Sequence, residues 1–188
     1  MLCREVLGNI NDPSAVIALR RRLGGDFSVD PVDLEWPQVR ERVLDARSAA
    51  GRAVEVRLPA KAADRGLSDG DVLACMLAGE AGGPCGVVVA VRLLSARCLV
   101  VSCDPAVPGA LARASWEVGN AHVPLFAGDD AHELVAPWNG TLERVLRGVP
   151  GVSLGCGERA LDPARRLSSN GLTTVVRLAA DLKVTVRR

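Results

Sequence analysis

Two histidines, His122 and His132, are the only imidazoles in the 188-residue chain, and tyrosine is absent. At neutral pH an imidazole is either a proton-transfer group or a ligand for borderline metals such as Ni(II), Cu(II) and Zn(II). His122 stands in Gly119-Asn120-Ala121-His122-Val123-Pro124-Leu125. Gly119 is expected to stop the preceding helix in a left-handed conformation. With Pro124 restricting the exit, the ring at the start of the next strand should point in one fixed direction, partly exposed. His132 follows Asp129 and Asp130 and precedes Glu133, the pattern of a solvated acidic turn. A histidine there could join a carboxylate as an auxiliary nickel or zinc ligand, although no spacing compels it. A hydrolase or transferase using His122 as base would need a nucleophile and an orienting group. The chain carries neither a HExxH nor a phosphate-binding GxxxxGK[ST] pattern.

Six cysteines, Cys3, Cys75, Cys85, Cys98, Cys103 and Cys156, form no CxxC pair, so a zinc ribbon or a thioredoxin-like redox site has no support. Most sit in apolar runs such as VLACML and RCLVVSC, which points to reduced, buried thiols. Cys98 and Cys103 are five apart on one expected strand and should face opposite sides, which excludes joint coordination. Cys156, in GCGE, is the best candidate for an exposed thiol, but a core position at a strand end is the expectation.

These residues must be held by a framework, and 48% hydrophobic composition is enough to bury a core. A formal net charge of +1 gives no field that would draw the chain to nucleic acid or an anionic membrane. The opening MLCREVLGNIND carries charge and glycine too early for a signal-peptide apolar stretch, and no run is long enough to span a bilayer, so a cytoplasmic protein is expected.

Along the chain, a strand is expected from Leu2 to Ile10, then a loop through Asp33. Alternating segments between Val39 and Pro59 flank a turn at residues 48–51 and read as a hairpin. A tight Asp-Gly-Asp turn then feeds a strand from Val72 to Leu77. Residues 78–84, AGEAGGP, read as an interdomain linker. Beyond it come strands Gly86–Leu94 and Arg97–Cys103. A helix capped by Asp104 follows, with apolar positions Val107, Ala110, Leu111, Ala114 and Val118. A strand pair encloses residues 127–132, Asn139 caps a second helix, and Val152–Cys156 closes the series. The predicted class is α+β: a β-rich N-terminal domain (1–82), a ferredoxin-like α/β sandwich with an extra edge strand (83–163) and a tail (164–188). The tail could form a hairpin or lie disordered.

The GNAHVPL segment resembles the signature of the UreE urease accessory proteins, Gly-Asn-x-His followed by a short apolar residue and proline, and Gly119, Asn120, His122 and Pro124 all match it. Three further segments fall in the same order as in that family. MLCREVLGNINDP resembles its opening strand, RLPAKAADRGLSDGDVL its Leu-x-x-Gly-Asp-Val-Leu passage, and NGTLERVLRGVPGV its second helix and closing strand. The resemblance spans about residues 1–163. It implies a β-rich domain that engages protein partners and a ferredoxin-like nickel-binding domain through which protomers dimerise. The motif histidine then lies near the dimer axis, so that His122 supplies one imidazole from each subunit.

It further implies no catalysis but delivery of Ni(II), with Cu(II) or Zn(II) able to compete, to the GTPase UreG and the urease/UreD/UreF maturation complex. Two departures stand out. Where many relatives carry histidines before the second helix this chain reads APWNGT, with Trp138 and Gly140, and its end, RLAADLKVTVRR, has none. A storage role is thereby weakened. A dimeric interaction protein that supports urease maturation without useful nickel affinity is the alternative.

Overall fold

The computed structural model describes residues 1–78 and 83–167. The chain is α+β, and its described residues form three sheets. The first contains β1 (Leu2–Cys3), β3 (Val43–Arg47) and β4 (Ala53–Arg57), in the order β1-β4-β3. The second contains β2 (Phe27–Leu34), β5 (Val72–Leu77) and β6 (Gly86–Leu93), in the order β2-β6-β5. Alternation along the strands packs these two sheets face to face. Val54, Val56 and Leu44 from one meet Val32, Leu34, Val89 and Val91 from the other in a single core.

The N-terminal third departs from the sequence expectation in two places. The opening strand ends at Cys3, and residues 7–10 instead bond to 70–72 across a turn, with Leu7 donating to the Val72 carbonyl and Ile10 to that of Gly70. The expected loop through Asp33 contains a helix, α1 (Pro13–Leu23), and the strand β2. The helix has sound local causes. Asp12 accepts from the Ser14 amide at 2.9 Å, Pro13 occupies the first turn, Arg20, Arg21 and Arg22 lie in the last, and Gly24 closes it at φ 78°. Leu19 and Leu23 seal the second sheet from outside, against Val72, Val88 and Ala90.

Strand β6 is apolar on both faces, covered by α1 on one side and the sandwich on the other, and it pairs with β2 and β5. It therefore does not open the C-terminal unit as an extra edge strand. The stretch at 78–84 joins two hydrogen-bonded neighbours, β5 and β6, rather than two domains, and residues 79–82 of it lie outside the described residues. Glycine and proline mark hairpin connections as readily as linkers. The change of sheet comes at Leu94, whose amide still donates to the Leu34 carbonyl.

The third sheet is formed by β7 (Ser95–Cys103), β8 (Phe126–Ala127), β9 (Glu133–Pro137) and β10 (Val152–Ala160), all neighbours antiparallel in the order β10-β7-β9-β8. A short helix, α2 (Ala60–Arg65), precedes β5, whereas α3 (Ala110–Asn120) and α4 (Gly140–Leu146) both cover one face of this third sheet. Ala110, Ala114 and Val118 of α3 and Leu142 and Leu146 of α4 pack on Leu99, Val101, Cys103, Leu134 and Ala136. Helix α3 begins later than expected. Asp104 accepts from the Ala106 amide at 2.8 Å and so stabilises a turn, and the helix starts only after Gly109, at φ 79°.

After β10 the chain returns across the molecule. Asp162 accepts from the Asp69 amide at 3.0 Å, and Leu167 donates to the Leu125 carbonyl at 2.8 Å. The tail expected at 164–188 lies outside the described residues from 168 onward. Among the described residues no helix is long and apolar enough to cross a membrane.

Candidate functional site

The end of α3 is built differently from the sequence expectation, and the difference bears on His122. Gly119 is not the left-handed stop. It lies inside the last helical turn, and the residue at positive φ is His122 itself, at 54°, alone among the described non-glycine residues. Two hydrogen bonds produce this. The His122 amide donates to the Gly119 carbonyl at 3.0 Å and the Val123 amide to the Val118 carbonyl at 3.3 Å, the paired pattern that closes a helix through a left-handed residue. Val123 and Val118 meet in the core beneath the turn. The backbone at His122 is therefore fixed from both sides while its side chain is exposed. Histidine tolerates this conformation better than most side chains, though glycine is the usual occupant.

The surface leading to His122 is the outward face of α3. Ala112, Arg113, Trp116, Gly119 and Asn120 recur at helical spacing and are all exposed, Trp116 at 68%. Arg113, Trp116 and Glu117, with Gly148, Val149 and Pro150 beyond α4, border a groove of about 410 Å³. A Cβ added at Gly119 would meet nothing within 4 Å, so the packing of this chain alone does not demand glycine there.

His132 lies where expected, exposed in the loop joining β8 to β9. Its amide donates to Asp130 at 2.6 Å and its carbonyl accepts from Cys103 at 2.8 Å, so the backbone is well anchored. Of the neighbouring acids, Asp129 is paired with Arg165 at 3.0 Å, and Glu133 accepts from the Asp129 amide. Among the described residues no group of three or more His, Cys, Asp or Glu side chains comes together to hold a metal. Trp138 stacks under Arg97 at 4.3 Å and donates to Glu143 at 3.2 Å. Arg147, bonded to Glu143 at 2.6 Å, holds that carboxyl below the usual carboxylate range.

All six cysteines are free thiols. Cys98 and Cys103 lie on opposite faces of β7, as their spacing requires, in separate cores. Cys156, expected in the core, is exposed on β10, an outer strand. Cys85 is exposed as well, just before β6. Gly66-Leu67-Ser68-Asp69-Gly70 matches the nucleophile pattern G-x-S-x-G that a serine hydrolase would need. The structure assigns it no catalytic use. Ser68 is only 5% exposed, its hydroxyl has no hydrogen-bond partner among the described residues, and it lies in a turn between α2 and β5 rather than between a strand and a helix. Its neighbour Asp71 organises that turn, accepting from the Ser68 amide at 2.9 Å, Asn9 at 3.0 Å and Arg65 at 2.5 Å.

Fold and site together define a class: an α+β protein presenting one rigidly held, exposed imidazole at a helix end. Comparison with known proteins then shows what the chain is similar to. No family model matches the chain. Over its full length, however, it is 27% identical to the whole of the urease accessory protein UreE of Helicobacter pylori (strain ATCC 700392 / 26695), across 197 aligned residues. It is 26% identical to the whole of that of Helicobacter acinonychis (strain Sheeba). The UreE of Helicobacter hepaticus (strain ATCC 51449 / 3B1) aligns at 27% identity over 78% of this chain and 72% of its own length. The similarity to these UreE urease accessory proteins thus runs the whole length of the chain at about 27% identity.

Proposed function

We propose that this chain is a cytoplasmic, non-enzymatic urease accessory protein that binds Ni(II) as cargo and delivers it during assembly of the urease metallocentre. The observation that carries the reading is full-length similarity to UreE proteins in a chain whose Gly119-Asn120-Ala121-His122 segment presents an exposed imidazole on an immobilised backbone.

One imidazole is a weak nickel site, and a twofold axis supplies a second. The exposed α3 face beside His122, with Trp116 and an unobstructed Gly119, suits such an interface: a large aromatic provides contact area and a glycine permits close approach. In this reading the third sheet with α3 and α4 is a ferredoxin-like sandwich, since its β-α-β-β-α-β order and all-antiparallel sheet match that plan. It forms the dimerisation unit. The two N-terminal sheets form a separate unit that meets protein partners, the GTPase UreG and the urease/UreD/UreF complex among them. Imidazole ligation also admits Cu(II) and Zn(II), so selectivity lies in supply and partner rather than in His122. His132 serves as an auxiliary ligand, with Asp130 or Glu133 as the nearest carboxylates in sequence.

Calorimetric nickel titration with mass measurement on the same sample tests the proposal. A dimer whose tightest nickel site disappears on substitution of His122 supports it; nickel bound with full affinity by a monomer refutes the shared site.

A further inference from the structure

The outer face of the first N-terminal sheet carries a groove of about 780 Å³ bordered by Arg4, Arg42, Val43, Arg57, Leu58 and Pro59. Register explains why three arginines converge there. Val43 of β3 stands opposite Arg57 of β4, and β1 runs parallel to β4 with Cys3 beside Val56, so Arg4 follows into line with Arg57. Cys3, Leu44 and Val56 point into the core, which turns Val43 and Arg57 outward.

The floor is apolar and open: Val43 is 59% exposed. The three guanidiniums are not equivalent. Arg57 is oriented by Glu55 at 2.7 Å and Asp45 at 3.4 Å. Arg4 and Arg42 are exposed and, among the described residues, have no ion-pair partner. Two uncommitted arginines over an uncovered valine, on a protein with net charge of only +1, form a local rather than a global positive field.

We propose that this groove docks a short, extended, acidic segment of a partner polypeptide, its carboxylates on Arg4 and Arg42 and an apolar side chain over Val43. Guanidinium suits this role because its planar fork pairs with carboxylate through two parallel hydrogen bonds. The edge position of β3 leaves room for an extended chain beside it. A longer polyanion fits poorly. Glu5 and Glu41 flank Arg4 and Arg42 in sequence, and Asp45 and Glu55 lie next along the sheet, so a nucleic-acid backbone continuing past the arginines would meet like charge. The inference takes from the accessory-protein reading only that a protein partner exists.

The test uses the full chain and a fluorescently labelled peptide of alternating Glu and Leu, with a Lys/Leu peptide and a duplex oligonucleotide as counterparts. Fluorescence anisotropy should show saturable binding of the acidic peptide, weakening as salt rises, and none of the other two. Arg4→Gln with Arg42→Gln should weaken that binding by about tenfold or more, and Val43→Ser should weaken it without changing its salt dependence. Unchanged melting and circular dichroism confirm that each variant is folded, and the Val43→Ser protein serves alone if the double variant is not. Absence of peptide binding, binding indifferent to both sets of substitutions, or equal capture of the oligonucleotide would overturn the proposal. Nickel titration of the same variants keeps the two readings apart. Retained nickel with lost peptide supports the groove, whereas a parent protein that binds peptide but no nickel sinks only the metal proposal.

Discussion

The Val123 amide bonds to the Val118 carbonyl at 3.3 Å across the end of α3, and the residue enclosed by that bond is His122, at φ 54°. The left-handed turn thus belongs to the histidine, and Gly119 is an ordinary helical residue with open space where a Cβ would stand. Gly119→Ala should therefore stabilise the isolated protomer by roughly 0.5–1 kcal/mol, the usual advantage of alanine in a helix. Urea denaturation at high dilution measures it. A loss of stability there would mean that the helix end is not as described. A gain at high dilution combined with weaker dimerisation would place Gly119 at close contact with the partner copy.

A second prediction concerns Asp71, which is 1% exposed and holds the Asp-Gly-Asp turn by accepting from Asn9, Arg65 and the Ser68 amide. Asp71→Ala leaves the buried Ser68 amide without an acceptor and reduces the Asn9 side-chain amide to its bond with the Asp69 carbonyl. Arg65 is half exposed and can rehydrate. The cost should be about 2–4 kcal/mol, that of orphaned buried polar groups and not that of a salt bridge. A change below about 1 kcal/mol in denaturant unfolding would show that water replaces the carboxylate.

Much of this was legible in the sequence because it depends on local pattern. The hairpin of β3 and β4, the strand β5, the Asn139 cap of α4 and the alternate facing of Cys98 and Cys103 all follow from period and capping chemistry. The rest depends on tertiary context. Strand β6 is continuous in apolar character, so nothing in it says which sheet it joins. Helix α1 has a narrow apolar stripe and β2 contains Pro31, acceptable because β2 is an edge strand, and together they look like loop. Residue type favours Gly119 for the left-handed position, whereas the hydrogen bonds place it three residues later, at His122.

Thiol reactivity should divide along burial. Burial pushes the thiols of Cys3, Cys98 and Cys103 above their ordinary range, and less thiolate means slower attack on any electrophile. Cys85 and Cys156 are exposed and Cys75 is half-buried. Treatment of the native protein with an alkylating reagent at neutral pH, followed by peptide mass mapping, should find Cys85 and Cys156 modified first. Cys98 and Cys103 should react only on unfolding. Early modification of Cys98 would show that the face of the third sheet covered by Leu161 and Phe126 opens readily.

His122 allows the ligand to be removed without disturbing the fold, because its backbone conformation is the one glycine prefers. His122→Gly should abolish the tightest nickel site while leaving stability equal to the parent or higher. His122→Ala should lose the same site at a stability cost below about 1 kcal/mol, since the parent histidine already carries most of the left-handed penalty. Neither substitution opens a core cavity, because the side chain is exposed. His132→Ala, in a loop held by backbone contacts to Asp130 and Cys103, should weaken nickel binding by a smaller factor. Calorimetry at neutral pH on confirmed dimers, paired with thermal melting, separates these outcomes. Equal nickel affinity in the parent and His122→Gly proteins would remove His122 from the metal site altogether.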